Sequence, residues 1–217
     1  TVRNIVNNAS MQYNSGSTSE RMTMAVVGTA FSENNAASIL KVTNNASVTA
    51  TAGGSTLNNA NAVHVAGIVG FATNHADSEV KTVVSECVNN GNITSATGRT
   101  AAIVGAANRY TVISDCVNNG TNTNSFATSK GARLGNITCV TGGGCEIRRC
   151  VNNGDLISST SAAAGGIVCL VSGEDCVFDQ VESYGNVITD YTGYRGTFFG
   201  QCKNASVFVD CVSHGDI

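Results

Sequence analysis

A short pattern of Cys, Val, Asn, Asn and Gly recurs along the chain and constrains its fold more than any other feature. The pattern is complete three times, starting at Cys87, Cys116 and Cys150. Weaker copies start at Ile5, Val42, Val181 and Cys211. Successive copies are separated by 37, 45, 29, 34, 31 and 30 residues. A period of about 30 residues with variable inserts is typical of stacked supersecondary units.

Two further signals precede each copy. An apolar residue stands three positions before the Cys slot, and the two residues between them are mostly polar. Because successive side chains of a strand point to opposite faces, this odd spacing predicts a corner at the polar pair. Farther upstream lie short apolar runs bounded by glycine, which we interpret as a buried strand followed by a tight turn. They are Ala25–Gly28, Ala66–Gly70, Ala101–Gly105, Gly165–Cys169 and Gly196–Gly200.

These signals predict an all-β fold, a right-handed parallel β-helix (a solenoid) of about seven coils with roughly 30 residues per coil. No segment keeps a 3.6-residue period, which argues against helical repeats. Leucine is too rare for a leucine-rich repeat, and the spacing is too short for propeller blades. We treat residues 1–217 as a single β-helix repeat domain. Since it stops in mid-repeat without a polar cap, we expect a fragment of a longer chain.

Stacking explains why the same residues return. Equivalent residues of successive coils lie about 4.8 Å apart, so identical side chains form ladders. We expect cysteine to be a small buried residue with a free thiol, and the asparagine two residues later to point inward as well. Asn and Gly also tolerate the left-handed backbone that a sharp corner needs. The predicted structural ladder comprises Cys87, Cys116, Cys150, Cys211, Asn89, Asn118 and Asn152.

The remaining cysteines leave two arrangements open. Cys139 and Cys145 flank a Gly-Gly-Gly turn, and Cys169 and Cys176 flank the equivalent turn one coil later. We favour a disulfide within each coil, which would imply an oxidising compartment. Alternatively, Cys145 and Cys176 stack on each other, because each stands five residues before its Cys slot.

Composition narrows the function classes. Charged residues make up 12% of the chain and the net charge is -3, which gives no basic footprint for nucleic acid. No apolar run approaches the roughly 20 residues of a membrane span. The 42% hydrophobic content, at fixed spacing, argues against disorder. Without a Cys-x-x-Cys motif, and with its three histidines far apart, the chain is predicted to hold no metal and no cofactor.

Two groups of residues are weighed as functional sites. Glu86, Asp115 and Asp210 share one outward corner slot, and an acidic row is a candidate for Ca²⁺ binding or polysaccharide cleavage. A solvated corner is the simpler interpretation, and we predict no catalytic residue. Tyr191 and Tyr194 are candidate ligand contacts, because aromatic rings stack on sugars.

The repeats resemble those of GLUG-motif and adhesin-like β-helical surface proteins, which are typified by Bacteroidetes proteins and have similar counterparts on protist surfaces. Those carry an apolar Gly-x-Ile-Val-Gly element followed by Cys-x-Asn-x-Gly-x-Val. The best matches are Ala66–Phe71 with Cys87–Ile93, and Gly165–Leu170 with Val181–Val187. The resemblance spans most of the chain and is weak before Val42. It implies an extracellular or cell-surface stalk or adhesive module, without catalytic residues.

We therefore expect a non-enzymatic extracellular structural or adhesion module, a stalk or fibre-forming β-helix whose lateral loops contact a glycan or a protein. The expected partners are other copies or domains of the same protein, stacked end to end, and a glycan or surface-protein ligand. Neither nucleic acid nor a membrane span is expected. The alternative is a carbohydrate-active β-helix enzyme, lyase-like or glycosidase-like, which would need a groove with convergent carboxylates.

Overall fold

The computed structural model describes residues 1–15, 22–32, 35–52, 63–74, 80–96, 98–125, 132–158, 163–190 and 192–217. These residues form a parallel β-helix of four sheets, and strands of successive coils pair in register. The described part is all-β and contains no helix. Within those ranges, then, there is no helix that could cross a membrane.

Each coil passes through sheets A, B, C and D in that order. Sheet A holds twelve strands: β1 (Val2–Asn7), β5 (Ser38–Asn44), β9 (Thr82–Ser85), β10 (Val88–Asn89), β14 (Thr111–Ser114), β15 (Val117–Asn118), β19 (Glu146–Arg148), β20 (Val151–Asn152), β24 (Cys176–Asp179), β25 (Glu182–Ser183), β29 (Ser206–Val209) and β30 (Val212–Ser213). Sheet B holds six strands: β2 (Met11–Ser15), β6 (Val48–Ala52), β11 (Ile93–Ser95), β16 (Asn122–Asn124), β21 (Leu156–Ser158) and β26 (Val187–Thr189).

Sheets C and D hold six strands each and complete the coil. Sheet C comprises β3 (Met22–Met24), β7 (Val63–Ala66), β12 (Arg99–Ala101), β17 (Arg133–Gly135), β22 (Ala163–Gly165) and β27 (Arg195–Gly196). Sheet D comprises β4 (Val27–Ser32), β8 (Val69–Asn74), β13 (Val104–Ala107), β18 (Thr138–Thr141), β23 (Val168–Val171) and β28 (Phe199–Cys202).

Sheet A bends at the polar pair before each Cys slot, which confirms the predicted corner. The second residue of the pair has a left-handed backbone in every coil, with φ between 49° and 57°. This backbone turns the chain so that apolar residues three positions apart both point inward, as Ile113 and Cys116 do. The left-handed corner residues are Asn4, Lys41, Glu86, Asp115, Arg149, Gln180 and Asp210.

The coil has two separate hydrophobic lobes. One core lies between sheets A and D, and smaller cores lie between sheets B and C. The turn from sheet C to sheet D reaches inward between the lobes, so that a side chain on Gly67 would overlap the amide of Asn89. Two coils later in the stack, the Asn136 amide in that turn donates to the Gly154 carbonyl at 2.7 Å. The glycine-bounded runs therefore span a turn between two strands, and the prediction that each run is a single buried strand is wrong.

The glycine of each Asn-Gly corner is needed for a different reason from the one predicted. Gly91, Gly120 and Gly154 lack the left-handed backbone, so the expectation of a left-handed Asn-Gly corner is wrong. Instead, a Cβ on Gly120 would overlap the carbonyl of Gly91 in the coil next to it, and Gly154 would meet Gly120 in the same way. At these three glycines the stacked backbones approach each other too closely for a side chain, whereas the first two coils carry Ala9 and Ala46 at this position.

Candidate functional site

The buried asparagines form the predicted ladder. The Nδ2 of Asn89 donates to the Oδ1 of Asn118 at 2.9 Å, and the Nδ2 of Asn118 donates to Asn152 in the same way at 2.9 Å. Each amide also donates to the carbonyl two residues on, for example Asn118 to Gly120 at 2.8 Å. All three side chains are fully buried, so the prediction of a buried, paired asparagine ladder is confirmed.

The ladder extends beyond the three predicted members. Asn7 donates to Asn44 and Asn44 donates to Asn89, each at 2.8 Å. At the other end, Asn152 donates to the hydroxyl of Ser183 at 3.3 Å. The amide chain therefore crosses five coils and passes to a serine in the sixth.

A second, exposed asparagine ladder runs one residue farther along the chain and was not predicted. Its side chains are linked Nδ2 to Oδ1 at 2.8–2.9 Å. The signal was present in the sequence as the second asparagine of each pair. The members are Asn8, Asn45, Asn90, Asn119 and Asn153. The next two coils carry Tyr184 and His214 at this position, with their rings stacked at 4.6 Å between centroids.

The cysteines of the Cys slot line the core between sheets A and D. Cys87, Cys116 and Cys150 are fully buried, and each thiol donates to the carbonyl two residues earlier at 3.1–3.4 Å. Cys211 occupies the same slot in the last coil and is only half-buried. Burial raises the pKa of the Cys116 thiol well above its ordinary value. The Cys116 thiol therefore stays protonated and serves as a packing element of the core.

The favoured disulfides within coils are not present, since all nine cysteines are free. Cys139 faces a small apolar cluster between the outer sides of sheets C and D, whereas Cys145 faces the main core. The partners stack between coils instead, Cys139 beside Cys169 and Cys145 beside Cys176, as the strand register dictates. The stacking of Cys145 on Cys176 is the alternative that the sequence left open. Burial raises the pKa of Cys139 and of Cys145 to about 12.

Two of the three acidic corner residues pair with interleaved cations, and no salt bridge within the described ranges involves the third, Asp210. Arg149 binds Asp115 through two hydrogen bonds of 2.6 and 2.9 Å, and Lys41 lies 3.5 Å from Glu86. The hydrogen bonds from Arg149 hold the pKa of Asp115 below its ordinary value. The side chains of both ion pairs are well exposed, which supports the interpretation of a solvated corner.

A cavity lined by charged, aromatic and glycine residues lies where sheet D turns into sheet A. It has a volume of about 660 Å³ and is lined by Arg109, Tyr110, Gly143, Gly144, Ser172, Gly173, Glu174, Asp175 and Asn204. Four stacked turns contribute to it. The turn at Gly142–Gly144 has no side chains, and it lies between a turn with Arg109 and Tyr110 and a turn with Glu174 and Asp175. We call this space the triglycine cleft.

Backbone hydrogen bonds fix the walls of the triglycine cleft. The Tyr110 amide donates to the Gly143 carbonyl and the Gly144 amide donates to the Glu174 carbonyl, both at 2.9 Å. Gly144 has a φ of 65°, and a Cβ there would overlap the Tyr110 ring, so glycine leaves room for the aromatic ring. Arg109 and Tyr110 are consecutive left-handed residues, a costly conformation that brings both side chains to the cleft.

One wall of the cleft offers a guanidinium group and a phenol, and the opposite wall offers two carboxylates. Arg109, Glu174 and Asp175 are exposed and form no salt bridge within the described ranges. Such a set can hydrogen-bond a ligand rich in hydroxyl groups. From the sequence alone the glycine run indicated only a turn, and these residues were not predicted as a site. The available signal was the glycine run between two turns with charged side chains.

The two tyrosines of the sequence analysis are not part of the cleft. Tyr194 precedes β27, and its side chain is 54% exposed. Tyr191 lies outside the described residues. The nearby Phe198 and Phe199 pack edge to face with each other and contact Phe178 and Phe208, as expected for core residues.

Comparison of the chain with protein-family models, with curated proteins and with solved structures finds no match.

Proposed function

We propose that the protein is a non-enzymatic extracellular structural and adhesion module, a β-helical rod that holds a ligand in a cleft on its flank. The observation that carries the proposal is the triglycine cleft, whose volume of about 660 Å³ falls within the roughly 300–1,000 Å³ of small-molecule sites. The rod supports it, because four consecutive coils fix the positions of its walls.

The chemistry of the cleft favours a saccharide. The phenol of Tyr110 offers an apolar ring with a polar tip, the kind of surface on which sugar rings pack. Arg109, Glu174 and Asn204 add donors and acceptors around it. Hydroxyl groups both donate and accept, so a sugar suits walls of opposite charge better than a purely anionic or cationic ligand does.

The proposed location on a cell surface rests on the resemblance to GLUG-motif and adhesin-like repeats. The rod geometry suits a stalk, because the hydrogen-bonded coils and two asparagine ladders run along its length. All thiols are free, so stability in this setting would come from the ladders and the cores rather than from disulfides.

End-to-end stacking with other copies or domains is part of the same proposal. The last described coil exposes apolar side chains, with Val207 at 54%, Phe208 at 40% and Val212 at 44%. The strands β29 and β30 each pair on one side only. Light scattering over a range of concentrations tests this, and a monomer at high concentration would count against it.

A carbohydrate-active enzyme is the second candidate, and the cleft gives it one specific support. Glu174 and Asp175 place two carboxylates on one wall, whereas Asp115 is held by Arg149. Glycosidases use a pair of carboxylates beside the scissile bond. If the protein is a carbohydrate-active enzyme that uses these carboxylates, saccharide cleavage would be lost in Glu174→Gln and retained in Asp115→Asn.

The decisive experiment is a glycan-array and calorimetric screen of the wild-type chain beside a variant with a filled cleft. A Cβ on Gly143 would have its nearest neighbours 3.6 Å away, so Gly143→Phe should fold and project its ring into the cleft. The control is Thr94→Phe, an exposed position on sheet B. We expect binding without cleavage in the wild type and the control, and loss of binding in Gly143→Phe. Equal binding by Gly143→Phe, or no ligand at all, would overturn the proposal.

A further inference from the structure

The outer face of sheet C carries a row of equivalent positions that changes character along the rod. Strand register places His64, Arg99, Arg133 and Ala163 one above another. Tyr194 continues the row in the next coil, where its carbonyl accepts a 3.0 Å hydrogen bond from the amide of Ala164. The row is therefore histidine, two arginines, a small residue and an exposed aromatic ring.

The two arginines are an unusual neighbouring pair. Arg99 and Arg133 lie directly opposite each other on parallel strands, where like charges are destabilising. Burial lowers the pKa of Arg99, and the charge of Arg133 contributes to this. Arg99 also contacts the Nε2 of His64 at 3.3 Å.

Nothing anionic in the described chain offsets the charge of Arg133. None of its salt bridges within the described ranges involves this residue. The charge of Arg133 acts on the thiols of Cys139 and Cys169, but burial raises the pKa of each and keeps both thiols neutral. Arg133 is only half-buried, so its guanidinium is accessible to a ligand.

The small side chain of Ala163 leaves a gap between Arg133 and Tyr194. The two flanking residues are two coils apart, or about 10 Å from backbone to backbone. Ala163 packs on the cluster that contains Val140 and Leu170, which gives the gap an apolar floor. Within the described residues the Tyr194 ring stacks on no other ring, so one face of it is available.

We propose that this gap binds an anionic saccharide, a uronic acid or a sulfated sugar, with Arg133 on the acidic group and Tyr194 on the face of the ring. A guanidinium fork matches carboxylate and sulfate oxygens in a bidentate manner. The site goes beyond the triglycine cleft and would stand if the cleft bound nothing.

The test uses four probes on the intact chain: oligogalacturonate, a sulfated dextran oligosaccharide, neutral dextran and inorganic sulfate. Arg133→Gln should weaken binding of both acidic saccharides roughly 10-fold or more, since it removes charge-assisted hydrogen bonds. Its charge-matched control is Arg3→Gln, an exposed position in the first coil. Arg133→Lys should retain part of the affinity, and thermal melts of all variants report folding.

A separate experiment tests the aromatic contact of Tyr194. Tyr194→Ala should weaken saccharide binding and leave sulfate binding unchanged, with Tyr184→Ala as the control because that ring is also exposed. Gly143→Phe should retain binding of the acidic saccharides, which separates this site from the cleft. Equal binding of neutral and acidic probes, or no difference between Arg133→Gln and Arg3→Gln, would overturn the proposal. The proposal would also be overturned if inorganic sulfate bound as tightly as the saccharides and Tyr194→Ala left saccharide binding unchanged. That result would indicate an adventitious ion only.

Discussion

The amide of Asn118 donates a 2.9 Å hydrogen bond to the Oδ1 of Asn152, a residue 34 positions later in the chain. The same group accepts from the Nδ2 of Asn89 at 2.9 Å. Each of these side chains is fully buried. Removing the Asn118 amide therefore takes one hydrogen bond from each neighbour, so that the Asn89 Nδ2 keeps only its bond to the Gly91 carbonyl and the Asn152 Oδ1 only its bond from the Gly154 N–H.

Asn118→Ala should destabilise the protein by about 1–3 kcal/mol relative to Asn35→Ala, an exposed asparagine. Asn89→Ala should cost about as much, because Asn89 also has an asparagine on each side. Urea unfolding of the three variants measures the differences. Equal stabilities of Asn118→Ala and Asn35→Ala would show that the asparagine ladder does not contribute to the free energy of unfolding.

Gly120→Ala should destabilise the rod far more than Gly143→Ala. The added methyl group at Gly120 would overlap the Gly91 carbonyl, so two coils must move apart, and overpacking of this kind costs about 1–3 kcal/mol. At Gly143 the nearest atom to a Cβ is 3.6 Å away. Thermal melting of the two variants decides the question, and similar melting temperatures would show that the coils are not so closely stacked.

Stability should fall below neutral pH because of His64. Burial, with the charge of Arg99, lowers the pKa of His64 to about 4 from 6.5. The unfolded chain therefore binds a proton that the folded chain rejects, and the contribution is complete above pH 6.5 and is lost as the pH falls towards 4. We expect a loss on the order of 2 kcal/mol between pH 7 and pH 5. His64→Gln should flatten that profile, whereas the exposed His214→Gln should leave it unchanged.

Arg149→Gln should return the pKa of Asp115 to its ordinary range. The hydrogen bonds from Arg149 depress that pKa, so the pair stabilises the fold above the unfolded pKa of Asp115 and loses its effect as the pH falls through the folded value. Both side chains are well exposed, so the effect on stability should be small and should shrink in salt. NMR titration of the Asp115 carboxyl in both chains measures the shift; an unchanged pKa would contradict the ion pair.

Thiol labelling should follow burial rather than position in the repeat. Cys202 is exposed and Cys211 is half-buried, so iodoacetamide should modify Cys202 first and Cys211 more slowly. The other seven thiols should react only after unfolding. Mass spectrometry under native and denaturing conditions, without reductant, counts the modified residues. Fewer than nine labelled cysteines in the unfolded chain would indicate a disulfide.

The spacing of residues alone determined the architecture and the inward ladders. A repeat of about 30 residues can bury its apolar face only by stacking, and side-chain alternation then places Cys116 and Asn118 on the same inward face. The corner at Ser114 and Asp115 followed from the odd spacing between Ile113 and Cys116. These inferences succeed because they depend on neighbours in the chain.

The tertiary structure decided which turns lie side by side and how the coil is shaped in cross-section. The inward turn at Gly67, the stacking of Cys139 on Cys169 and the triglycine cleft each depend on contacts between coils or across one. In the sequence Gly142–Gly144 is only a flexible turn. It becomes the floor of a cleft because stacking places Tyr110 on one side and Glu174 on the other, and the lateral position of each turn is set by packing across the coil rather than by its own residues.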